Sequence, residues 1–239
     1  MRMWICVGFW WLSGVTFSQG DRTIDLDATQ NTRQLGGMVT FHNGIVKQNV
    51  LIRSDNLHWL SARDCDRLMA LGLKTVVDVR SLEEVEAWPD ADCIRGAVRY
   101  LHIPMSTFGR EPTMVDAYLH LFRNSSASIR EFFGVLADVE NLPLLYHCQL
   151  GKDRAGILSA LILRLLNVPD SAIVEDYLLS RQTGYGAEAD WIQAILREVD
   201  SYGGIDAYLL SIGVSAEAIQ AVKDNLLQIP SSVPIWSYK

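Results

Sequence analysis

Cys148 and Arg154 are separated by five residues, Gln149-Leu150-Gly151-Lys152-Asp153, between an apolar run from Leu144 to His147 and a second one from Ala155 to Leu166. The pattern predicts a strand, a tight polar loop and a helix. In such a loop the backbone N–H groups of Gln149, Leu150, Gly151, Lys152, Asp153 and Arg154 can turn inward with the positive end of the helix behind them, which makes an anion cradle. A thiol facing a helix N-terminus and a guanidinium ionises more readily than a free one, so Cys148 is the expected nucleophile. Arg154 can take two phosphate oxygens bidentately while the amides take others, which sets phosphorus against sulfur for in-line attack. Gly151 lets the loop turn with no Cβ in the way. The chemistry that fits is displacement of an alkoxide or phenoxide from a phosphate ester, leaving a phosphocysteine that water then hydrolyses. It calls for no metal and no cofactor, only a general acid to protonate the leaving oxygen, a contribution on the order of 10² to 10⁴ in rate.

The elements that must position this loop follow from the rest of the chain. It has 239 residues, 49% of them hydrophobic, enough for the core of one α/β domain and too few for three ordinary ones. Short buried-strand patterns at Val50 to Ile52, Thr75 to Val79 and Leu144 to His147 alternate with helical spacing at Ser61 to Leu71 and Ile129 to Val139. A central sheet covered by helices follows. After Asn167 the pattern turns wholly helical, with a helix opened by Pro169 and Asp170 and running towards Ser180, and further amphipathic stretches at Ala187 to Val199 and Ser215 to Leu227. From Asp21 onward there is no low-complexity run, linker or repeat, so residues 21–239 read as one domain.

The first twenty residues stand apart. Arg2 is followed by eighteen uncharged residues, Met3 to Gly20, and Ser18 and Gly20 are small residues placed for a cleavage before Asp21. This is an export-signal pattern, with an uncleaved membrane anchor as the alternative because a span needs roughly 20 apolar residues. A secreted or periplasmic location is expected. The net charge of −7 argues against a protein that coats nucleic acid or an anionic membrane, so an anionic substrate has to be met by local positive charge. Four cysteines without C-x-x-C spacing exclude a zinc ribbon or disulfide scaffold. Cys65 and Cys93 read as small buried apolar residues, although export leaves open a bridge between them with Cys148 free.

His147-Cys148 to Arg154 resembles the Cys-x5-Arg signature of the protein tyrosine phosphatase superfamily, and the inner Gly-Lys-Asp-Arg run is similar to the atypical bacterial and fungal tyrosine/serine phosphatases. Four further stretches resemble that family in order: Asn31-Thr32-Arg33-Gln34-Leu35-Gly36-Gly37, Ile52-Arg53-Ser54-Asp55, Val77-Asp78-Val79-Arg80-Ser81 and Asp176-Tyr177-Leu178-Leu179-Ser180. The resemblance implies a phosphatase-like fold with Cys148 as nucleophile, Arg154 as phosphate clamp and Gln149, Leu150, Gly151 and Lys152 in the substrate-binding cradle. It implies that Asp153, inside the loop, is the general acid, with Asp78 as second candidate for acid or orienting group. The expected partner is a phosphorylated protein bearing phosphotyrosine, with phosphoserine and phosphothreonine as further substrates. Lys152 adds a cation that would also suit a phosphoinositide.

Other readings stand beside these. A phosphate-binding pseudo-phosphatase would need no nucleophile, and a rhodanese-type sulfurtransferase would not call for the Lys-Asp-Arg run. Arg33, Arg53 and Arg80 form either a basic substrate rim or ion pairs. Asp176 and Tyr177 are either packing residues or substrate contacts, Gly36-Gly37 reads as a turn, His147 as a loop-ordering donor, and Glu83, Glu84 and Glu86 as a solvated helix face. Nothing in the sequence sets an oligomeric state.

Two departures from the family pattern matter. Gln34 stands where the family has Asp, and Ala155 stands where the superfamily has Ser or Thr, which removes a hydroxyl able to stabilise the departing sulfur. A charge-assisted bond of that kind is worth about 1.5 to 3 kcal/mol, or roughly tenfold to more than a hundredfold on hydrolysis of the phosphocysteine. Rapid-mixing kinetics are therefore expected to show a product burst and then a slow steady state, with Ala155→Thr accelerating the slow phase. Equal rates with no burst in the unaltered protein would contradict this.

Overall fold

The computed structural model describes residues 22–184 and 186–229, so the export segment read in residues 1–20 lies outside the described residues. The chain runs β1 (Arg33–Gln34), β2 (Ile45–Val46), β3 (Leu51–Ser54), α1 (Ala62–Ala70), β4 (Thr75–Asp78), α2 (Leu82–Ala87), α3 (Asp92–Arg95) and β5 (Arg99–His102). It continues with α4 (Met114–Arg123), α5 (Ser126–Ala137), β6 (Leu144–His147), α6 (Arg154–Leu165), α7 (Asp170–Leu178), α8 (Ala189–Ser201), α9 (Ile205–Ser211), α10 (Ala216–Leu226) and β7 (Leu227–Gln228). This is the expected α/β sheet covered by helices with a helical C-terminal third. The exception is β7, a two-residue strand that pairs antiparallel with β2. Among the described residues no helix is long and apolar enough to cross a membrane.

The main sheet has the order β1-β3-β6-β4-β5. β3, β6, β4 and β5 are mutually parallel, and β1 closes the β3 edge antiparallel. Every residue of β3, β4 and β6 is buried, as strands covered on both faces must be. Alternation sends Leu51, Val77, Leu144 and Tyr146 into the larger core, while Ile52, Val76 and Leu145 meet Leu68 of α1 and Ile94 of α3 on the other face. β5 escapes a hydrophobic-run reading because it is an edge strand, with Arg99 exposed and the rest half-buried.

Register places the chemistry. Ser54 and Asp78 both pair with His147, so the C-terminal ends of β3, β6 and β4 lie level with one another. The loop after β6 emerges between its neighbours, where open parallel sheets characteristically hold ligands. It is followed by α6, in which every residue but Arg164 is buried. A helix apolar all round belongs in the core, and Gly156 keeps it there, since a Cβ would sit 3.2 Å from the Tyr177 ring of α7.

Cys65 of α1 and Cys93 of α3 form a disulfide, which leaves Cys148 as the free cysteine among the described residues. The expectation of two buried apolar cysteines is corrected: Cys65 is buried, Cys93 is exposed, and the two are joined. Gly36-Gly37 is a turn, as read. Gly37 has φ +86°, and a Cβ on Gly36 would come within 2.4 Å of the Gln48 Cα.

Candidate active site

The loop from Cys148 to Asp153 is held from behind by its carbonyls. Asn56 N–H donates to Gln149 O (3.3 Å) and Asn31 Nδ2 to Leu150 O (2.9 Å), while Arg53 donates from Nε to Gly151 O (2.7 Å) and from a terminal nitrogen to Lys152 O (3.4 Å). No backbone N–H from Gln149 to Arg154 donates to another described residue. With the oxygens tied to the scaffold, the amides and the N-terminus of α6 are left for an anion. Gly151 is required twice over: its φ is +62°, and a Cβ would lie 2.7 Å from Ser54 O and Asp55 N.

Arg53 is itself fixed by Asp176 of α7, at 3.1 Å. Asp176 also pairs with Arg22 (2.8 Å) and Arg33 (3.2 Å) and is almost fully buried. Burial opposes its charge, but Arg33, Arg53 and Arg22 together hold its carboxyl well below the usual carboxylate range. Burial and the neighbouring Arg33 charge in turn push Arg53 below its ordinary value, and Asp176 offsets part of this. Arg33 and Arg53 are thus structural cations rather than a substrate rim, and Asp176 is their hub. Gln34 has its own local task, accepting from Asn49 N–H at 2.8 Å where Asn49 takes φ +58°.

Cys148 is 1% exposed at the end of β6. The Arg154 guanidinium, expected as a phosphate clamp, grips Glu84 of α2, with its two terminal nitrogens 2.5 and 2.7 Å from the two carboxylate oxygens. Glu84, the third residue of α2, also accepts from Ser81 N–H at 2.8 Å in a capping box, so it is fixed from two sides. Burial opposes charge on Arg154, yet the Glu84 bond, then the neighbouring Cys148, Glu84 and Asp153, raise its pKa above the ordinary value. A guanidinium has five N–H groups, so two bound to Glu84 leave three, Nε–H among them, for ester oxygens. Glu84 is therefore an aiming residue, correcting its reading as part of a solvated helix face. The Ser81-x-x-Glu84 capping signature was its only trace in the sequence.

Asp153 is 7% exposed. Its Oδ1 accepts from the Tyr118 hydroxyl of α4 and lies 3.4 Å from Lys152 Nζ, which leaves Oδ2 to serve a substrate. Having spent its proton on Asp153, Tyr118 accepts from Tyr177, and burial together with the Asp153 charge pushes the Tyr118 phenol up. Besides Asp153, Lys152 Nζ is engaged elsewhere: it donates to Gly186 O at 2.8 Å and stands 5.3 Å over the Trp191 ring. A cavity of about 280 Å³ is walled by Glu84, Thr107, Phe108, Leu121, Asp153 and Arg154. Ala155 is buried, and Ser159, the next hydroxyl on α6, is turned to Ala155 O and Tyr146. Tyr118 and Phe108 left no signal in the sequence, because each arrives from a separate element some thirty or more residues upstream.

On the β4 side Asp78 is fully engaged. It accepts from Arg80 N–H, Nε and a terminal nitrogen and from Tyr100 at 2.6 Å. It is an anchor, not a candidate acid, and Arg80 bridges it to Asp90 at 2.7 Å. His147 Nε2 stands 2.9 Å from Asp90 Oδ2, off the line of a directed hydrogen bond, so the contact is one of charge. Asp78, Asp90 and His147 could frame a cation, and Arg80 already supplies one to both carboxylates. Burial opposes charge on His147, but Asp90 and Asp78 raise its pKa above the usual histidine value.

Residues 24–228 match the family model described as the tyrosine phosphatase family. A tyrosine-protein phosphatase of Nostoc commune is 28% identical over 225 residues, covering 77% of this chain and 76% of its own. A Cupriavidus necator protein provisionally named a tyrosine-protein phosphatase is 29% identical over 229 residues, covering 80% and 84%. Among solved structures, P. aeruginosa TpbA in complex with phosphotyrosine is 20% identical, with a TM-score of 0.38 over 73% of this chain and 92% of its own.

The raised value of His147 has a stability consequence. A folded-state pKa above the unfolded one, about 6.5, contributes stability that is fully present below that pH and lost as pH rises through the folded value. In denaturant titrations the stability gap between the wild type and His147→Gln should narrow from acid to alkaline pH. A gap that stays constant or widens would contradict an imidazolium between Asp78 and Asp90.

Proposed function

The chain belongs to the tyrosine phosphatase family, and on that premise we propose that it hydrolyses phosphotyrosine in two steps, with Cys148 as nucleophile, Arg154 as phosphate clamp and Asp153 as general acid. The Cys148 sulfur attacks phosphorus, the ester P–O bond breaks, and Asp153 Oδ2 gives its proton to the leaving phenolic oxygen. Water then attacks the phosphocysteine, Asp153 takes a proton from it, and the S–P bond breaks to release inorganic phosphate and the thiolate. The amides of Gln149 to Arg154 and the free N–H groups of Arg154 hold the equatorial oxygens throughout, and Tyr118 and Lys152 keep Asp153 in place.

The observation that carries this reading is the loop's polarity, with four consecutive carbonyls bound to the scaffold and the amides beyond them unclaimed. The choice of phosphotyrosine over a phosphoinositide rests on the walls of the cavity. Arg154 is their cation, Glu84 and Asp153 are acidic, and Lys152, which is not among the walls, is committed to Asp153, Gly186 and Trp191. A polyphosphorylated headgroup finds no second cation there, whereas the half-exposed Phe108 offers a surface to an aromatic ring. The proposal includes export, carried by the uncharged stretch from Met3 to Gly20 and supported by the Cys65–Cys93 bridge, a bond of oxidising compartments.

With EDTA present, p-nitrophenyl phosphate hydrolysis should be abolished by Cys148→Ser and depressed by Asp153→Asn, on the order of 10² or more. On natural esters, kcat/KM should favour a phosphotyrosine peptide over a soluble phosphoinositide by at least about tenfold. Undiminished activity in Cys148→Ser would remove the mechanism, and a phosphoinositide preference would remove the substrate assignment.

A further inference from the structure

Trp59, Leu82, Trp88, Phe108 and Met114 are large apolar side chains with 68, 55, 46, 44 and 37% exposure. All five lie on segments that follow the C-terminal ends of β3, β4 and β5, the edge of the sheet from which Cys148 leaves β6. Trp59 and Trp88 form one cluster, their rings 6.1 Å apart, with the His58 ring 4.3 and 5.3 Å from them. The cluster adjoins the phosphate loop, because Asn56, three residues before Trp59, donates to Gln149 O. Between the cluster and the cavity runs α2, which has no buried residue, yet its Glu84 walls the cavity and holds Arg154. Glu83 and Glu86 of α2 are exposed, and Arg80, the cation nearest to them in the chain, is buried against Asp78 and Asp90.

A helix with no fully buried residue, whose Glu83 and Glu86 form no ion pair with a described residue and which ends beside two exposed tryptophans, is complementary to an apolar and basic segment. We propose that the rim made by Trp59, Trp88 and α2 docks the stretch of a substrate protein that flanks its phosphotyrosine, and selects stretches combining a bulky apolar side chain with Lys or Arg. This rests on the phosphotyrosine reading above. The Trp pair supplies desolvated apolar contact, and Glu83 and Glu86 supply the charge that attracts basic flanks and repels acidic ones. The same carboxylates, on a chain of net charge −7, set the rim against an anionic bilayer.

The test compares p-nitrophenyl phosphate with two phosphotyrosine peptides, one flanked by Leu, Trp, Lys and Arg and the other by Asp, Glu and Gly. Wild type, Trp59→Ala and the double variant Glu83→Gln/Glu86→Gln are measured at low and high salt. The wild type should prefer the basic, apolar peptide by about tenfold or more in kcat/KM, the preference should fall with salt and in both variants, and p-nitrophenyl phosphate turnover should stay within roughly twofold. A wild type active on p-nitrophenyl phosphate but indifferent to the flanks, or favouring the acidic peptide, would overturn the proposal while leaving the catalytic reading intact. A wild type inactive on p-nitrophenyl phosphate would overturn the catalytic reading and the proposal with it. Sedimentation with phosphatidylcholine vesicles that Trp59→Ala abolishes, without peptide discrimination, would assign the rim to a bilayer and also overturn the proposal.

Discussion

A fully buried guanidinium, that of Arg53, joins the loop after β6 to the rest of the molecule. It takes the carbonyls of Gly151 and Lys152 and is itself held by Asp176, Ser159 and Ser180. Burying a charge is costly unless it is paired and its donors are satisfied, and here the loop's own carbonyls are among the acceptors that satisfy them. Packing and the direction of the loop's dipoles are thereby coupled. The fold cannot satisfy Arg53 without also turning the loop's oxygens away from the side where an ester would sit. The same logic accounts for three arginines converging on one aspartate: Asp176 is a small anion in a cluster of larger positive charge, just behind the loop proposed to hold an anion.

The other flank is built on the same principle with the signs exchanged. Asp78, Asp90 and Glu84 outnumber Arg80 and His147, and the surplus carboxylate is the one that orients Arg154. β6 thus ends between an arginine-rich cluster on the β3 side and an acid-rich cluster on the β4 side, and its loop is tethered to both. Pre-setting dipoles in this way avoids reorganisation when charge develops on the phosphoryl oxygens. Asp153 belongs to neither cluster. It is held by Tyr118 and Lys152, from the helical layer and from the loop itself.

How much of this could be read from the sequence depends on how local each signal is. The strand–loop–helix around Cys148 was fully legible, because six consecutive loop residues carry the chemistry and the flanking runs carry the fold. β3 and β4 were legible as buried runs, whereas β1, β2 and β7 are two residues long and leave no period to detect. The roles of the arginines were not legible, since the identity of an ion-pair partner is a three-dimensional fact: Arg33 and Asp176 are 143 residues apart. Glu84 was misread because a carboxylate on a short polar helix resembles any solvated face until its partner is known. Lys152 was placed correctly on the loop, but the direction of its side chain is decided by Trp191 and Gly186 from another layer.

The central claim is that tethering the loop's carbonyls outward is what lets its amides bind an oxyanion. Calorimetric titration of inorganic phosphate into the Cys148→Ser protein, with and without Asn31→Ala, tests it most directly, because Asn31 Nδ2 holds the Leu150 carbonyl at 2.9 Å. Loss of that tether should weaken phosphate binding by about tenfold in a protein whose circular dichroism and cooperative unfolding are retained. Phosphate affinity unchanged in a folded Asn31→Ala protein would contradict the claim.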